Sequence, residues 1–313
     1  MEAIEHQSII WLELHGRLKA LMSQKRYEHN FVNRLTQIET QARQAIDENG
    51  DKSLFVLVQM LFEKNLSYSA THALLSAALC RLIAPLTDIS DQDQTSLLRA
   101  ALTMNIGMTH LHDKLALQKM ALTSEQRHTI LSHPARSKTL LHNLGVVDPV
   151  WLRLVQDHHE TSNGTGYPAG KENLDEATRL LQMADVYIGS ISPRHNRPGL
   201  LPQHGARKIY RDAGATPHSL GAAFVKAVGI YIPGSFVKLA NGVIGIVMQR
   251  GKNAHTPQVA SILGLRGAPI ENPLLIDTSN PNYEITGSVS ADDVRLRMSW
   301  AELLEKFKQS PST

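Results

Sequence analysis

The sequence has one cysteine, Cys80, in 313 residues. A lone thiol cannot close an internal disulfide, which fits a reducing compartment, and it cannot build a cysteine-based zinc ribbon. Any metal site must therefore use His, Asp or Glu. Long apolar runs are missing too: no stretch approaches the roughly 18 consecutive apolar residues of a membrane span. The opening Met-Glu-Ala-Ile-Glu-His also lacks the basic and apolar segments of a signal peptide. The expectations are a cytoplasmic location and no membrane. Net charge is small, since 32 Lys and Arg against 29 Asp and Glu leave +3, and the basic residues are scattered. That balance argues against DNA as a partner and leaves room for a small anionic ligand. Internal repeats and low-complexity tracts are absent.

What is present describes a globular chain, with 42% hydrophobic and 19% charged residues. At roughly 150 residues per domain, the length suggests about two compact units. Histidine stands out, with 15 copies, and raises the question of metal or phosphate chemistry. Up to about residue 225 the apolar positions recur at three- and four-residue spacing, as in Leu12–Met22, Phe31–Ile46 and Leu74–Leu82. Asp88–Asp93 and Thr123-Ser124-Glu125 are helix-start signals. After residue 228 the texture changes. Phe236–Leu239 and Val243–Val247 flank Asn241-Gly242, a hairpin signal, because the favoured two-residue turn needs positive φ at both central positions. Trp300–Phe307 reads as a short terminal helix. The chain divides on this reading into an accessory helical segment (1–50), a helical domain (51–227) and a small β extension with a terminal helix (228–313).

The most specific stretch is His158-His159-Glu160, followed by Gly164-Thr165-Gly166-Tyr167-Pro168. It puts two imidazoles at a helix end beside a loop able to take unusual backbone angles. Paired histidines of this kind are also met as caps or surface residues. Their ordered company is His72 on an apolar-striped helix, His133-Pro134 at another helix boundary, and Met183-Ala184-Asp185. Singly, each could be a satisfied core or surface polar residue.

Together these residues, with Ala100–Met108, resemble the HD-GYP family, HD-superfamily phosphodiesterases that hydrolyse cyclic di-GMP; the likeness spans about 65–235. The resemblance implies a mainly α fold, an HD-type helical bundle with N-terminal accessory helices and a small C-terminal β module. It also implies metal ligands at His72, His133, His158, His159 and Asp185. Arg194 and Arg197, nine and twelve residues after Asp185, correspond to ligand clamps, and guanidinium forks suit guanine edges and phosphates. Gly166, Tyr167 and Pro168 would form a recognition loop for diguanylate-cyclase-type signalling proteins.

The departures are as informative. Met104, Asn105 and Met108 stand where the family has its namesake His and Asp and a Lys. A thioether is a poor ligand for hard divalent ions, and a neutral amide cannot replace a bridging carboxylate. One divalent ion (Zn, Fe or Mn) on His133, His158 and His159 is the expectation, and a full binuclear centre is not. The letters His112-Asp113 lie seven or eight residues out of register, about two helical turns or roughly 11 Å, and read as a solvated helix start. The leading reading is a degenerate HD-GYP protein that binds cyclic di-GMP, a related dinucleotide or a partner signalling domain with little or no hydrolysis. Its alternatives are a metal-dependent cyclic di-GMP phosphodiesterase with an atypical site, and a structural interaction module. A homodimer through the N-terminal helices stays open.

Overall fold

Polar caps divide the first part of the chain into helices. A computed structural model of the protein describes residues 3–23, 30–195, 199–213, 219–294 and 299–307. Helices α1 (Ala3–Met22), α2 (Phe31–Glu48) and α3 (Gly50–Phe62) lead into α4 (Tyr68–Ile83) and α5 (Asp91–Thr103). They are followed by α6 (Thr109–Leu117), α7 (Ser124–Asn143), α8 (Pro149–Asp157), α9 (Glu176–Ile191), α10 (Pro202–Asp212) and α11 (Leu220–Val228). Ser67, Ser90, Asp148 and Asp175 each cap a helix by accepting a hydrogen bond from an amide of its first turn. Thr123 makes a reciprocal capping box with Gln126, so the start signal at 123–125 marks the beginning of α7.

Helix α4 is the central element. It packs against α1, α2, α3, α5, α6, α9 and α11. Its Ala70, Ala73, Ser76, Ala77 and Ala78 are buried, and such short side chains let neighbouring helices approach from several directions. With the 3₁₀ turn after it, Tyr68–Leu86 is long and apolar enough to cross a bilayer by composition, but most of it is buried inside the fold. Its hydrophobicity is that of a core helix.

The C-terminal part is an antiparallel sheet of β1 (Phe236–Leu239), β2 (Ile244–Gln249), β3 (Gln258–Leu263), β4 (Leu275–Asp277) and β5 (Ile285–Val289), in the order β4-β3-β2-β1-β5. A short α12 (Trp300–Lys306) follows. The hairpin between β1 and β2 falls at Asn241-Gly242 as expected, but not as the two-residue turn. Gly242 alone is at positive φ (+83°), its amide donates to the Leu239 carbonyl, and the Leu239 amide to the Val243 carbonyl, so the connection is a three-residue loop ending on a left-handed glycine. The sheet is joined to the helices by polar contacts. Gln59 Nε2 donates to the Gly234 carbonyl at 2.6 Å, and Arg250 Nε to Asp51 Oδ1 at 2.5 Å. One buried apolar cluster includes Trp11 of α1, Leu57 of α3, Leu181 of α9, Val247 of β2 and Leu304 of α12.

Candidate metal centre

Four helices bring the site together: α4 carries His72, α7 carries His133, the end of α8 presents His158 and His159, and α9 carries Asp185. His133 precedes Pro134 inside α7. Proline has no amide hydrogen, so the carbonyl four residues back, that of Ile130, receives no helical hydrogen bond from it. His133 Nδ1 donates to that carbonyl instead, at 2.6 Å. At the C-terminus of α8, where helical carbonyls also lack amide partners, His158 Nδ1 donates to the Val155 carbonyl at 2.7 Å. In both rings the Nδ1 proton is committed, so each neutral imidazole presents a bare Nε2. These two nitrogens face each other at 3.1 Å.

Two lone pairs at that distance repel unless a cation lies between them. Nitrogens each 2.0–2.1 Å from a tetrahedral ion stand about 3.3 Å apart, and a ligating histidine donates its other nitrogen to a carbonyl in this same way. The ligand atoms of His133, His158 and His159 all lie within 4.8 Å of one another, and among the described residues they form the group able to meet on one ion. Burial, then the neighbouring His159, pushes His133 down to about 4 and His158 well below its ordinary value. Burial also lowers His159. Near neutrality all three rings are uncharged, the state a metal requires.

Asp185 reaches both halves of the site. Its Oδ1 accepts from His72 Nε2 at 2.8 Å, and its Oδ2 lies 3.7 Å from His159 Nδ1. Burial alone would raise this carboxyl, but the His72 hydrogen bond and the imidazoles around it hold it well below the usual carboxylate range. On its other edge, His72 Nδ1 meets the Tyr68 hydroxyl at 3.3 Å.

The segment expected to be damaged packs tightly beside this cluster. Met104 is wholly buried in the apolar core, and Met108 is half-buried. Asn105 is also buried, and its Oδ1 has no hydrogen-bond partner, an arrangement that costs about 1–3 kcal/mol unless something else satisfies it. The turn is held against α7 by the Gly107 amide, which donates to Ser137 Oγ at 2.9 Å. A Cβ at Gly107 would lie 2.9 Å from the Ser137 backbone nitrogen, so only glycine fits.

The expectation for His112-Asp113 is corrected. Both residues lie within α6 rather than at a solvated start. His112 is buried, with its ring 5.2 Å from that of His72 and 4.7 Å from that of Tyr68. The Asp113 carboxylate accepts from Ser67 Oγ at 2.9 Å and the Ser69 amide at 2.7 Å, and so braces the start of α4. The pair therefore supports the helix that carries His72. Its two-turn offset gave the distance along the chain but not the return of α6 onto α4.

The loop after α8 is organised by Glu160. This buried carboxylate accepts from the Ala169 amide at 2.7 Å and the Lys171 amide at 2.9 Å. Gly166 passes so close to the His159–Thr161 backbone that a Cβ would lie 2.5 Å from three of its atoms. That close approach stacks Tyr167 on His159, with ring centroids 4.6 Å apart, and Pro168 follows through a cis peptide. Asn163 Oδ1 accepts from the Thr165 amide and hydroxyl, as a turn residue does. Arg194 lies over the Tyr68 ring at 5.6 Å and donates from Nη2 to the Tyr68 hydroxyl at 3.4 Å. Arg197 lies outside the described residues. Sequence reasoning missed Tyr68 and Glu160 as site-building residues; position after the histidine pair was the available signal for Glu160, and Tyr68 had none beyond its helical spacing from His72.

A fold of this kind, with histidines and an aspartate converging from separate helices, defines an HD-type domain. Residues 56–215 match the HD domain family, and the chain belongs to it. It is 28% identical over 202 residues to "Cyclic di-GMP phosphodiesterase PA4108" of Pseudomonas aeruginosa, covering 64% of this chain and 49% of the relative. It is 29% identical over 135 residues to "3'3'-cGAMP-specific phosphodiesterase 3" of Vibrio cholerae, covering 42% of this chain and 29% of that protein. The chain thus spans about half or less of the length of these curated relatives. Among solved structures it resembles Bd1817, an HD-GYP-type protein of Bdellovibrio bacteriovorus, with a TM-score of 0.52, 18% identity and 71% of each chain covered. The expected mainly helical HD-type fold with a small C-terminal sheet is borne out.

Proposed function

We propose that this chain binds a cyclic dinucleotide of the cyclic di-GMP class at a site holding one divalent ion on His133, His158 and His159, and that it hydrolyses the ligand slowly or not at all. The facing Nε2 atoms of His133 and His158 carry the metal part of this reading. The neutral Asn105 carries the low-activity part, since two-metal hydrolysis of a phosphodiester relies on cations held about 3.5–4 Å apart. When bound, the ion supplies Lewis acidity toward a phosphate oxygen. His133 and His158 orient their lone pairs through the Ile130 and Val155 carbonyls, and Asp185 fixes the ring of His72 by accepting a hydrogen bond from its Nε2. Support for the ligand class comes from the two relatives, named for cyclic di-GMP and 3'3'-cGAMP. The loop at Gly166, Tyr167 and Pro168 remains on this reading a surface for a diguanylate-cyclase-type partner, and it needs no metal for that.

Calorimetric titration of the metal-loaded chain with cyclic di-GMP, followed by product chromatography, is the test. Binding with about one ion per chain and no linear dinucleotide or GMP after long incubation is the expected result. No heat at high micromolar ligand overturns the ligand, and steady release of product overturns the low-activity part. Met104→His combined with Asn105→Asp should raise the metal content above that of the parent chain.

A further inference from the structure

A phosphodiester shares its negative charge between two unesterified oxygens, and a single ion on His133, His158 and His159 leaves one of them to another donor. The turn packed beside these ligands, Ile106–Met108, brings no cation. Around it, Arg153 of α8 is held by Asp175, Lys138 of α7 by Gln156, Lys171 by Asp157, and Arg194 by the Tyr68 hydroxyl. Arg136 of α7 differs. It is exposed, and no carboxylate or other hydrogen-bond acceptor engages it among the described residues.

Arg136 stands three residues after His133, so the two are neighbours on α7 with Cβ atoms about 5–6 Å apart. Side chains on a helix lean toward its N-terminus, which lays the Arg136 stem back over the turn that carries His133. The next residue, Ser137, accepts the Gly107 amide, so Arg136 flanks the contact between α7 and the turn that ends at Met108. Burial first, then His159, keep the His133 ring neutral, and the Arg136 charge acts in the same direction, which puts the guanidinium within electrostatic reach of that ring. A guanidinium so placed is repelled by an ion that fills the histidine cluster. Asp185 does not offset this, since its oxygens face His72 and His159. An anion between the two cations does. A phosphate group has the shape for it, with one oxygen on the ion and another on the planar fork.

We infer that Arg136 is a phosphate clamp of this site, binding from α7 the phosphodiester that the three-histidine ion engages. The inference rests on the dinucleotide reading above and adds which side chain holds the phosphate. Calorimetry on the zinc-loaded full chain tests it at ~0.15 M salt, where exposed charges more than about 8 Å apart are screened. The probes are cyclic di-GMP and inorganic phosphate. The chains are the parent, Arg136→Ala, Arg136→Lys and Arg127→Ala, the last removing an exposed arginine of the same helix roughly 13 Å away along its axis. Competitive chelation reads the zinc affinity of each.

Arg136→Ala should bind cyclic di-GMP about ten-fold more weakly, the loss of a hydrogen bond to a charged group, and inorganic phosphate more weakly as well. Arg136→Lys should lose about three-fold, because it keeps the charge without the fork, and Arg127→Ala should match the parent. Zinc affinity in Arg136→Ala should equal or exceed that of the parent, since a like charge is gone. If all chains bind cyclic di-GMP alike, the clamp falls while the dinucleotide reading stands. If Arg127→Ala weakens binding as much as Arg136→Ala, the effect is one of overall charge and the clamp falls. Loss of zinc together with ligand in Arg136→Ala would make the residue structural and also overturn it. If phosphate binds in an Arg136-sensitive way but cyclic di-GMP does not bind the parent, the clamp stands as an anion site and the dinucleotide reading falls. If neither probe binds, both fall.

Discussion

At the residue scale, the chemistry turns on where protons sit. His133 and His158 each spend their Nδ1 hydrogen on a carbonyl, and the result is a pair of bare nitrogens 3.1 Å apart. Such rings stay neutral at a cost when acid is added. His133 is held down to about 4 by burial, against about 6.5 in an unfolded chain. The unfolded chain therefore binds a proton first as pH falls, and stability drops with it. Without metal, this stability should be fully present above pH 6.5 and be lost progressively between 6.5 and 4, by up to about 3 kcal/mol for His133. Urea melts at pH 7 and pH 5 check the sign, and a flat profile would remove the neutral-imidazole account. Saturating zinc should raise the melting midpoint at pH 7, since an ion that binds only the folded chain stabilises it by mass action.

At the scale of elements, α7 and the loop after α8 are shaped for the site rather than for their own stability. Pro134 costs α7 one helical hydrogen bond and in return frees the Ile130 carbonyl for His133. Pro134→Ala should restore an amide that competes for this carbonyl. The variant is expected to melt at a higher temperature while its metal affinity falls about 10–100-fold, the range seen when an outer partner of a ligating histidine is lost. Competitive chelator titration reads the second effect, and unchanged affinity would mean that the carbonyl does not orient the ring. Glu160 does comparable work in the loop, where two amides end on one buried carboxylate. Glu160→Ala leaves both unpaired and should cost about 2–3 kcal/mol in urea unfolding, with Tyr167 losing its place against His159.

At the scale of the whole molecule, the sheet is bound into the same core as the helices. Gln59 and Asp51 of α3 bond to Gly234 and Arg250, and the apolar cluster runs from Trp11 to Leu304 without a gap between parts. A chain ending at residue 227 would expose the face of α3 that carries Phe55 and Val58. It is expected to be aggregated or to bind a hydrophobic dye without a cooperative melt. A cooperative melt matching the full chain would show that the bundle folds alone.

Much of this was legible in the residues. Apolar spacing gave the helices and Asn241-Gly242 the hairpin, because helix period and turn geometry are local properties; it was the resemblance to the HD-GYP family, carried by the order of His72, His133, His158, His159 and Asp185, that pointed to one centre. His112 was not legible. Its burial against His72 comes from α6 folding back on α4, a contact between residues far apart in the chain. The same holds for Asp185. The family resemblance counted it simply among the metal ligands, whereas in the fold its two oxygens reach toward both His72 and His159. Sequence alone determined which donor atoms the chain has and where Met104 and Asn105 withhold them. Only the tertiary structure decided which nitrogen of each ring is free, because that depends on carbonyls left without amide partners by a proline and a helix end.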